Sequence, residues 1–303
     1  MPARELPAAA SIREVGPRDG LQAEEPVSIE GRVALIRALA AAGCADIELC
    51  SFVSPRAVPA MAGAAEVVAS VGSLARARRW ALVPNERGAS LAVEAGVDAL
   101  TATVSASEAY SEKNTHRSVA ESIEVLPAIV AAAGRLPVDV VVSCAFGSPW
   151  EGDTPADDVV RVGRAALDAG AVAVTFADTT GTALPDRLER LLDAWGTAAG
   201  VGLHLHDTRG TALVTAYRAL QLGITRFDTA VGGLGGSPFA AGAGGNLATE
   251  DLVHLCDGLG IETGIDVDGL LQAVTVIEAL VGHAVPGRVA RHGPRTRLQP
   301  SSP

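Results

Sequence analysis

Eight short runs rich in β-branched residues recur along the chain, and each is followed by an amphipathic segment. The predicted strands cover residues 11–15, 45–52, 79–83, 99–105, 138–146, 172–179, 201–207 and 225–233. Strands that alternate with helices indicate a parallel sheet covered by helices. Eight such units in roughly 230 residues fit a (β/α)8 barrel, whereas an open doubly wound sheet would usually need fewer strands. The pattern therefore predicts an α/β fold, a TIM barrel.

The segments between the strands carry helix-end signals and no domain boundary. IEGRVALIRALAAAG follows Ser28, a favourable N-cap, and ends in an Ala-Gly pair where a C′ glycine belongs. Because no long Pro- or Ser-rich linker interrupts the pattern, we expect one domain over residues 11–282, after an N-terminal extension of residues 1–10. Residues 260–282 add an extra C-terminal helix, and residues 283–303 are predicted to be a disordered tail.

The composition excludes some partners. Of the 303 residues, 48% are hydrophobic and the mean hydropathy is +0.28, which supports a sizeable buried core. No apolar run approaches the roughly 20 residues of a membrane span, and the first ten residues lack the apolar region of a secretory signal. The formal charge of −11 argues against a nucleic-acid backbone as partner. We expect neither a membrane nor a nucleic acid, although a local basic cluster can still bind an anionic small substrate.

The cysteine pattern points to a reducing compartment. Cys44, Cys50, Cys144 and Cys256 form neither a CxxC pair nor a zinc-finger spacing. In a chain of this length such cysteines are typical of reduced, buried thiols. We therefore expect a cytoplasmic protein.

Two histidines lie near the end of the seventh predicted strand, where a TIM barrel places functional residues. In GLHLHD, His204 and His206 are two apart and share one face, while Leu203 and Leu205 point towards the helices. Two imidazoles in a barrel mouth are costly to bury unless they bind something. A pair of hydrogen-bonded structural histidines is the alternative, but a metal site is favoured because His is the commonest transition-metal ligand.

Oxygen ligands are expected at the same end of the barrel. The first strand ends in EVGPRDG, so Arg18 and Asp19 follow it, and barrel closure lets Asp19 reach the histidines. Asn246 ends the glycine-rich segment after strand eight, and its side-chain oxygen can supply another ligand. This mixed nitrogen and oxygen set suits Mg²⁺ or Mn²⁺, with zinc and Fe²⁺ as alternatives. Thr249 is predicted to cap the next helix.

Two further carboxylates are expected inside the barrel. Glu48 is flanked by apolar residues in DIELC and so faces inward, and Asp178 ends strand six in FADTTG. A carboxylate inside a barrel needs a partner, and Arg18 is the obvious one. A purely structural ion pair would have the same pattern, so a structural role for Glu48 stays open beside the functional one.

Five stretches of the chain together carry a family resemblance. They are EVGPRDGLQAE, IELCSFVSPRAVPAMAG, VSCAFGSPWEG, LHLHDTRGTAL and GGLGGSPFAAGAGGNLATEDLV. In their residues and their order these motifs resemble the hydroxymethylglutaryl-CoA lyase family, within the DRE-TIM metallolyases. The resemblance runs from about residue 12 to residue 280. The GPRDGLQ form is closer to the lyases than to the related Claisen synthases, whose loop usually reads LRDG.

The resemblance implies a usually dimeric (β/α)8 barrel with a divalent metal at its mouth. It implies cleavage of 3-hydroxy-3-methylglutaryl-CoA to acetyl-CoA and acetoacetate. The metal ligands that it implies by motif are Asp19, His204, His206 and Asn246. The catalytic residues that it implies are Arg18, Asp19, Glu48 and Asp178, with Ser237 at a variant position. The substrate-binding residues are expected to be Arg18, Gln22, Ser51 and Asn246.

The chain departs from the family pattern at that variant position. Where the family normally carries the cysteine of GGCP, thought to act in proton transfer, this chain has Ser237. A serine hydroxyl is far less acidic than a thiol of pKa about 8.5, and it is a poor general acid at neutral pH. Three hypotheses follow: an acyl-CoA lyase or aldolase for a different substrate, the ordinary reaction at a reduced rate, or a catalytically silent relative.

Two rival classes fit the sequence less well. A phosphate-binding barrel could use the glycine-rich segment as an anion site. However, no GxGxxG follows strand one and no lysine lies near the segment. An iron oxygenase could use two histidines and one carboxylate, but it would leave Asn246 and Arg18 without an obvious role.

Overall fold

The computed structural model describes residues 6–236 and 244–295, and its strands form one closed, parallel barrel in sequence order. The strands are β1 (Ser11–Glu14), β2 (Asp46–Ser51), β3 (Arg78–Leu82), β4 (Ala99–Ser105), β5 (Val138–Ser143), β6 (Ala173–Ala177), β7 (Val201–His204) and β8 (Arg226–Thr229). Pairing of β8 with β1 closes the sheet. The prediction of a (β/α)8 barrel is confirmed.

Helices surround the barrel and connect its strands. They are α1 (Ile29–Ala41), α2 (Ala64–Val71), α3 (Glu86–Ala95), α4 (Glu108–Thr115), α5 (Val119–Glu124), α6 (Leu126–Ala133), α7 (Ala156–Asp168), α8 (Pro185–Trp195), α9 (Ala212–Gln221), α10 (Thr249–Leu259), α11 (Val267–Val281) and α12 (Arg288–His292). Ser28 caps α1 by accepting a backbone hydrogen bond, as expected. One predicted helix is divided into α5 and α6, because Pro127 has no N–H and suits only the first turn of a helix.

Apolar side chains fill the layer between the barrel and the helices. Leu203 and Leu205 of the β7 region are fully buried in this layer, whereas His204 and His206 are buried among polar groups at the mouth. All four cysteines are buried and free of disulfides, as expected. Within the described ranges, no helix combines the length and apolar character needed to cross a bilayer.

At the barrel mouth, β5, β7 and β8 end three or four residues sooner than the sequence predicts. β5 stops before Cys144, whose left-handed backbone (φ 57°) cannot continue a strand. β7 ends at His204, and His206 instead forms an isolated bridge with Asn246. β8 gives way to a short 3₁₀ turn, Val231–Gly233. The mouth is therefore built from loops that leave the hydrogen-bonded ladder early.

Part of the predicted disordered tail is ordered. Residues 283–295 contain α12, and the carboxylate of Asp251 accepts the first two backbone N–H groups of this helix at 3.1 and 2.7 Å. Val285 and Val289 are buried. The expectation of disorder is wrong for this part, because two isolated valines in a polar stretch gave no periodic signal. Residues 296–303 lie outside the described ranges.

Two buried carboxylates hold the turn that follows β8. Glu14 accepts the backbone N–H of Val231 at 3.0 Å and the hydroxyl of Thr249 at 2.5 Å. Glu250 accepts the N–H of Gly232 at 3.0 Å. Burial raises the pKa of Glu14 to about 7 and that of Glu250 to about 8. Thr249 is not the helix N-cap that the sequence predicts, because its hydroxyl donates to Glu14 and α10 has no side-chain cap.

Replacing Val285 by alanine tests the packing of the C-terminal segment. Val285 is 0% exposed and packs against the turn after β8, so the loss of its methyl groups should lower the free energy of unfolding by about 2 kcal/mol. The same change at Val214, which is 57% exposed, is the matched control and should cost less than about 0.5 kcal/mol. Equal effects in urea titrations would show that the segment does not pack here.

The buried carboxylates predict a pH dependence of stability. The pKa of Glu14 rises from 4.5 to about 7 on folding, so the folded state holds a proton that the unfolded state releases. The free energy of unfolding should fall across this window as pH rises, by at most about 1.4 kcal/mol per pH unit for this group. Glu14→Gln should flatten the slope, and Glu25→Gln, at an exposed position, should not. An unchanged slope in Glu14→Gln would contradict the prediction.

Candidate metal centre and active site

Three side chains with metal-ligating atoms converge at the barrel mouth. Asp19 lies in a π-helical turn (Gly16–Gly20) after β1, and His204 and His206 come from the end of β7. One ligand atom from each lies within 4.8 Å of the others. The two Nε2 atoms are 3.2 Å apart, and Nε2 of His204 is 3.9 Å from an oxygen of Asp19. The structure thus brings together three of the four proposed ligands in this arrangement.

The surroundings of Asp19 and His206 favour the protonation states that a metal requires. Burial would lower the pKa of His204, but the carboxylates of Asp228 and Asp19 raise it. Arg18 and Gln22 donate to Oδ1 of Asp19, the latter at 3.0 Å, and Asn246 donates to Oδ2 at 2.8 Å. Burial would raise the pKa of Asp19, yet the positive charge of Arg18 and these bonds hold it below its usual value. Burial, together with the charge of its neighbouring histidine, lowers the pKa of His206 to about 4. An ionised carboxylate and a neutral imidazole are the ligand forms.

Asn246 presents an unpaired oxygen at the same place. Its Nδ2 donates to Oδ2 of Asp19 and to the carbonyl oxygen of Leu234, both at 2.8 Å. Because both partners only accept, the amide nitrogen must face them and the oxygen must point away. This Oδ1 is buried, and no residue that the structure describes bonds to it. An unpaired buried oxygen is costly and fits a metal ligand.

The start of the glycine-rich loop passes very close to this centre. A Cβ atom at Gly235 would lie 2.2 Å from Nδ2 of Asn246 and 3.1 Å from the backbone oxygen of Asp19, and the φ of Gly235 is +115°. Only glycine permits that approach and that backbone conformation. Residues 237–243, including Ser237, lie outside the described residues. Gly235 thus permits the close approach of this loop to Asn246 and Asp19.

Arg18 joins Asp19 to the carboxylate on β2. Its guanidinium donates from Nε to Glu48 and from Nη1 to Asp19, and all three side chains are buried. Burial would lower the pKa of Arg18, but the charges of Asp19 and Glu48 raise it, so the cation is retained. Oε1 of Glu48 and Oγ of Ser51 are buried without a hydrogen-bond partner in the described part of the chain. Both atoms therefore keep unused hydrogen-bonding capacity.

Asp178 has other partners than the sequence predicts. Arg18 pairs with Glu48 as expected, but the carboxylate of Asp178 accepts the backbone N–H groups of Thr182 at 2.8 Å and Ala183 at 2.9 Å. Burial raises the pKa of Asp178 to about 6, although these hydrogen bonds act to lower it. The backbone of the turn after β6 supplies the donors that the sequence pattern could not show. The result is a carboxyl group that is held in a fixed position and whose pKa burial raises towards neutral pH.

The donor set fits a divalent cation. Two imidazole nitrogens, one carboxylate and one unpaired amide oxygen meet in a buried place, and no thiolate is among them. Hard oxygen ligands combined with imidazole are typical of Mg²⁺, Mn²⁺, Fe²⁺ and Zn²⁺ sites.

Several residues around the centre were missed by the sequence analysis. Nδ1 of His204 lies 3.4 Å from the carboxylate of Asp228, and Arg13 donates two hydrogen bonds to Asp228 at 2.9 and 2.7 Å. Ser143, at the end of β5, has a buried Oγ without a partner among the residues described. A signal existed: Arg13 in SIRE and Asp228 in RFDT are charged residues in the middle of predicted strands.

Comparisons with known proteins agree with this geometry. The HMGL-like family model matches residues 9–277. Hydroxymethylglutaryl-CoA lyase YngG of Bacillus subtilis is 39% identical over 93% of this chain and 96% of its own length. The (R)-citramalyl-CoA lyase of Chloroflexus aurantiacus is 40% identical over 94% of this chain and 95% of its own.

A solved structure provides a third comparison. It is an HMG-CoA lyase from Acinetobacter baumannii in complex with coenzyme A and 3-methylmalate. The two structures superpose with a TM-score of 0.92 at 37% identity, over 97% of this chain and 98% of the other. Fold, metal-ligand cluster and full-length similarity lead to one conclusion: the chain belongs to the HMGL-like family of lyases.

Proposed function

We propose that the protein is a divalent-metal-dependent carbon–carbon lyase that cleaves a 3-hydroxy-3-methylglutaryl-CoA-like 3-hydroxyacyl-CoA to acetyl-CoA and a keto acid. The observation that carries this proposal is the convergence of Asp19, His204 and His206 in the mouth of a barrel related to HMG-CoA lyases. Coenzyme A in a solved relative supports an acyl-CoA as the ligand.

Mg²⁺ or Mn²⁺ is the proposed cation, because the set contains oxygen ligands and imidazoles but no thiolate. Asp19, His204 and His206 would hold it, with Oδ1 of Asn246 as a fourth ligand. When bound, such a cation binds hydroxyl and carbonyl oxygens of a substrate and lowers the pKa of the hydroxyl. The unpaired Oδ1 is the observation that supports the fourth position.

Arg18 is proposed to stabilise the negative charge that develops during cleavage. The tertiary hydroxyl loses its proton, its oxygen forms the new ketone, and the C2–C3 bond electrons pass to the thioester as an enolate. A guanidinium fixed near the enolate oxygen of the thioester stabilises the transition state more than the ground state. Glu48 and Asp19 hold the guanidinium in place through buried bonds, so little reorganisation is needed.

Two carboxyl groups can carry the protons that the reaction moves. Glu48 has a buried oxygen free to accept a hydrogen bond from the substrate hydroxyl. Burial raises the pKa of Asp178 to about 6, so this carboxyl group can both donate and accept a proton near neutral pH. Gln22 is proposed to act through Asp19, to which it donates, and Ser51 to bind substrate through its unpaired hydroxyl.

The acyl group of the substrate has a second candidate identity. Ser237 replaces the cysteine expected in the family motif, and a relative at 40% identity is a citramalyl-CoA lyase. A lyase or aldolase with a different branched substrate is therefore the alternative, with water or Ser237 delivering the final proton. A catalytically silent protein is disfavoured by the intact ligand cluster. A cytoplasmic location is proposed from the four buried free cysteines. A homodimer is proposed on the family resemblance alone.

A panel of branched 3-hydroxyacyl-CoAs tests the function. With Mg²⁺ or Mn²⁺, at least one member should yield acetyl-CoA by mass spectrometry, and the yield should disappear after chelation and return with metal. His206→Ala should lose at least about 100-fold in kcat/KM because a ligand is removed, whereas His254→Ala, on α10, is the control and should not. No turnover by metal-loaded protein would favour the silent alternative, and oxygen uptake with bound iron would exclude the lyase.

Ser237→Cys tests the departure from the family motif. If the hydroxyl limits proton delivery, the thiol should raise kcat for 3-hydroxy-3-methylglutaryl-CoA by about 10- to 100-fold. Ser70→Cys is the control, because it introduces the same thiol at an exposed position on α2 and should not have this effect. An unchanged kcat in Ser237→Cys would show that this residue does not determine the rate.

A further inference from the structure

Three charged or polar side chains lie at one level inside the barrel, across its closing strands. Parallel pairing matches Arg13 of β1 with Asp228 of β8, and the same Asp228 with His204 of β7. Neighbouring side chains at one level of a parallel sheet point to the same face. The strand register itself therefore places a carboxylate between a guanidinium and a ligand histidine.

The contacts follow from this register. Arg13 binds Asp228 as a planar fork, from Nε to Oδ1 at 2.9 Å and from Nη2 to Oδ2 at 2.7 Å. Oδ2 also lies 3.4 Å from Nδ1 of His204. All three side chains are buried, and a bidentate Arg–carboxylate pair fixes the carboxylate plane as well as its position.

The two nitrogens of His204 thus have different neighbours. Nε2 lies beside Nε2 of His206 and an oxygen of Asp19, among the ligand atoms. Nδ1 faces Asp228, which is an acceptor when ionised. A neutral imidazole carries its proton on only one nitrogen, and only the other nitrogen can bind a metal.

We propose that Asp228, fixed by Arg13, is a positioning residue that holds the proton of His204 on Nδ1 and thereby keeps Nε2 free to bind the divalent cation. The inference rests on the metal site of the proposed function, and not on the identity of the acyl substrate. A carboxylate that orients a ligating histidine commonly changes metal affinity by about 10- to 100-fold.

Asp228→Asn is the direct test, because it keeps the size of the side chain and removes one acceptor. An amide offers a single oxygen where the carboxylate now serves both Arg13 and His204. When the NH₂ group faces His204, Nδ1 must accept and the proton must move to Nε2, the ligand atom. Mn²⁺ binding, measured from the EPR signal of free Mn²⁺, should weaken by about 10- to 100-fold.

Asp139→Asn is the matched control. Asp139 lies on β5 and accepts from the same guanidinium, with Nη1 of Arg13 2.9 Å from its Oδ2. It also accepts from Thr175 at 2.8 Å and from Arg226 at 3.2 Å. The change removes the same charge from the same buried cluster without altering the partner of His204. Its Mn²⁺ affinity should stay within about threefold of wild type.

A spectroscopic measurement on the wild-type protein does not require Asp228→Asn to fold. The chain has six histidines. Long-range ¹H–¹⁵N spectra of the metal-free protein, recorded at a pH above the raised pKa of His204, report which nitrogen of each neutral ring is protonated. A spectrum of His204→Gln assigns the signal. The proposal predicts Nδ1–H for His204 in wild type and a larger Nε2–H fraction in Asp228→Asn.

Three results would overturn the proposal: Nε2–H at His204 in wild type, wild-type Mn²⁺ affinity in Asp228→Asn, or equal weakening in Asp139→Asn. If Asp228→Asn does not fold, the wild-type spectrum decides. These readouts do not depend on turnover. A protein that cleaves no acyl-CoA yet shows the expected affinities would contradict the proposed function and support this inference.

Discussion

The pairing of β8 with β1 is the contact on which the rest of the site depends. It places the end of β7 one strand away from β8 and two from β1, so residues separated by about 185 positions in the chain become neighbours. Asp19 follows β1 and the two histidines end β7, and only the closed barrel brings their ligand atoms within 4.8 Å. An open sheet with the same strands would leave these groups at opposite edges.

Burying this much charge is costly, and the structure offsets the cost with paired groups. Arg13 bridges Asp228 and Asp139, and Arg18 bridges Asp19 and Glu48. Buried ion pairs seldom add net stability, because desolvation cancels most of the attraction. Their effect here is to fix orientation. Beside them, one oxygen of Glu48 and one of Asn246 have no hydrogen-bond partner among the described residues, which fits the proposed binding of a substrate and a cation.

The architecture could be predicted well because each strand–helix unit carries a signal for its strand and a signal for its helix. β-branched runs and amphipathic helices repeat eight times, and alternation in LHLHD alone separates the inward histidines from the outward leucines. The strand ends were less predictable, since a single left-handed residue, Cys144, or the bridge of His206 with Asn246 ends a ladder without changing composition. The order of residues 283–295 depends on contacts with Asp251 that are distant in sequence.

Within the site, residue types could be predicted but their partners could not. Asp178 and Arg18 are both inward, yet backbone N–H groups hold Asp178, because a turn offers donors that no side-chain pattern reveals. Thr249 had the right residue type for a helix cap, but the buried Glu14 takes its hydroxyl. Arg13 and Asp228 stand out as charged residues within predicted strands, but their pairing follows only from the strand register.

Anomalous diffraction from crystals grown with Mn²⁺ tests the proposed metal centre directly. We expect one strong peak at the barrel mouth, at about 2.0–2.3 Å from an oxygen of Asp19, Nε2 of His204, Nε2 of His206 and Oδ1 of Asn246. A peak bound by other residues, or a fully ordered site that holds no cation at saturating Mn²⁺, would contradict this expectation.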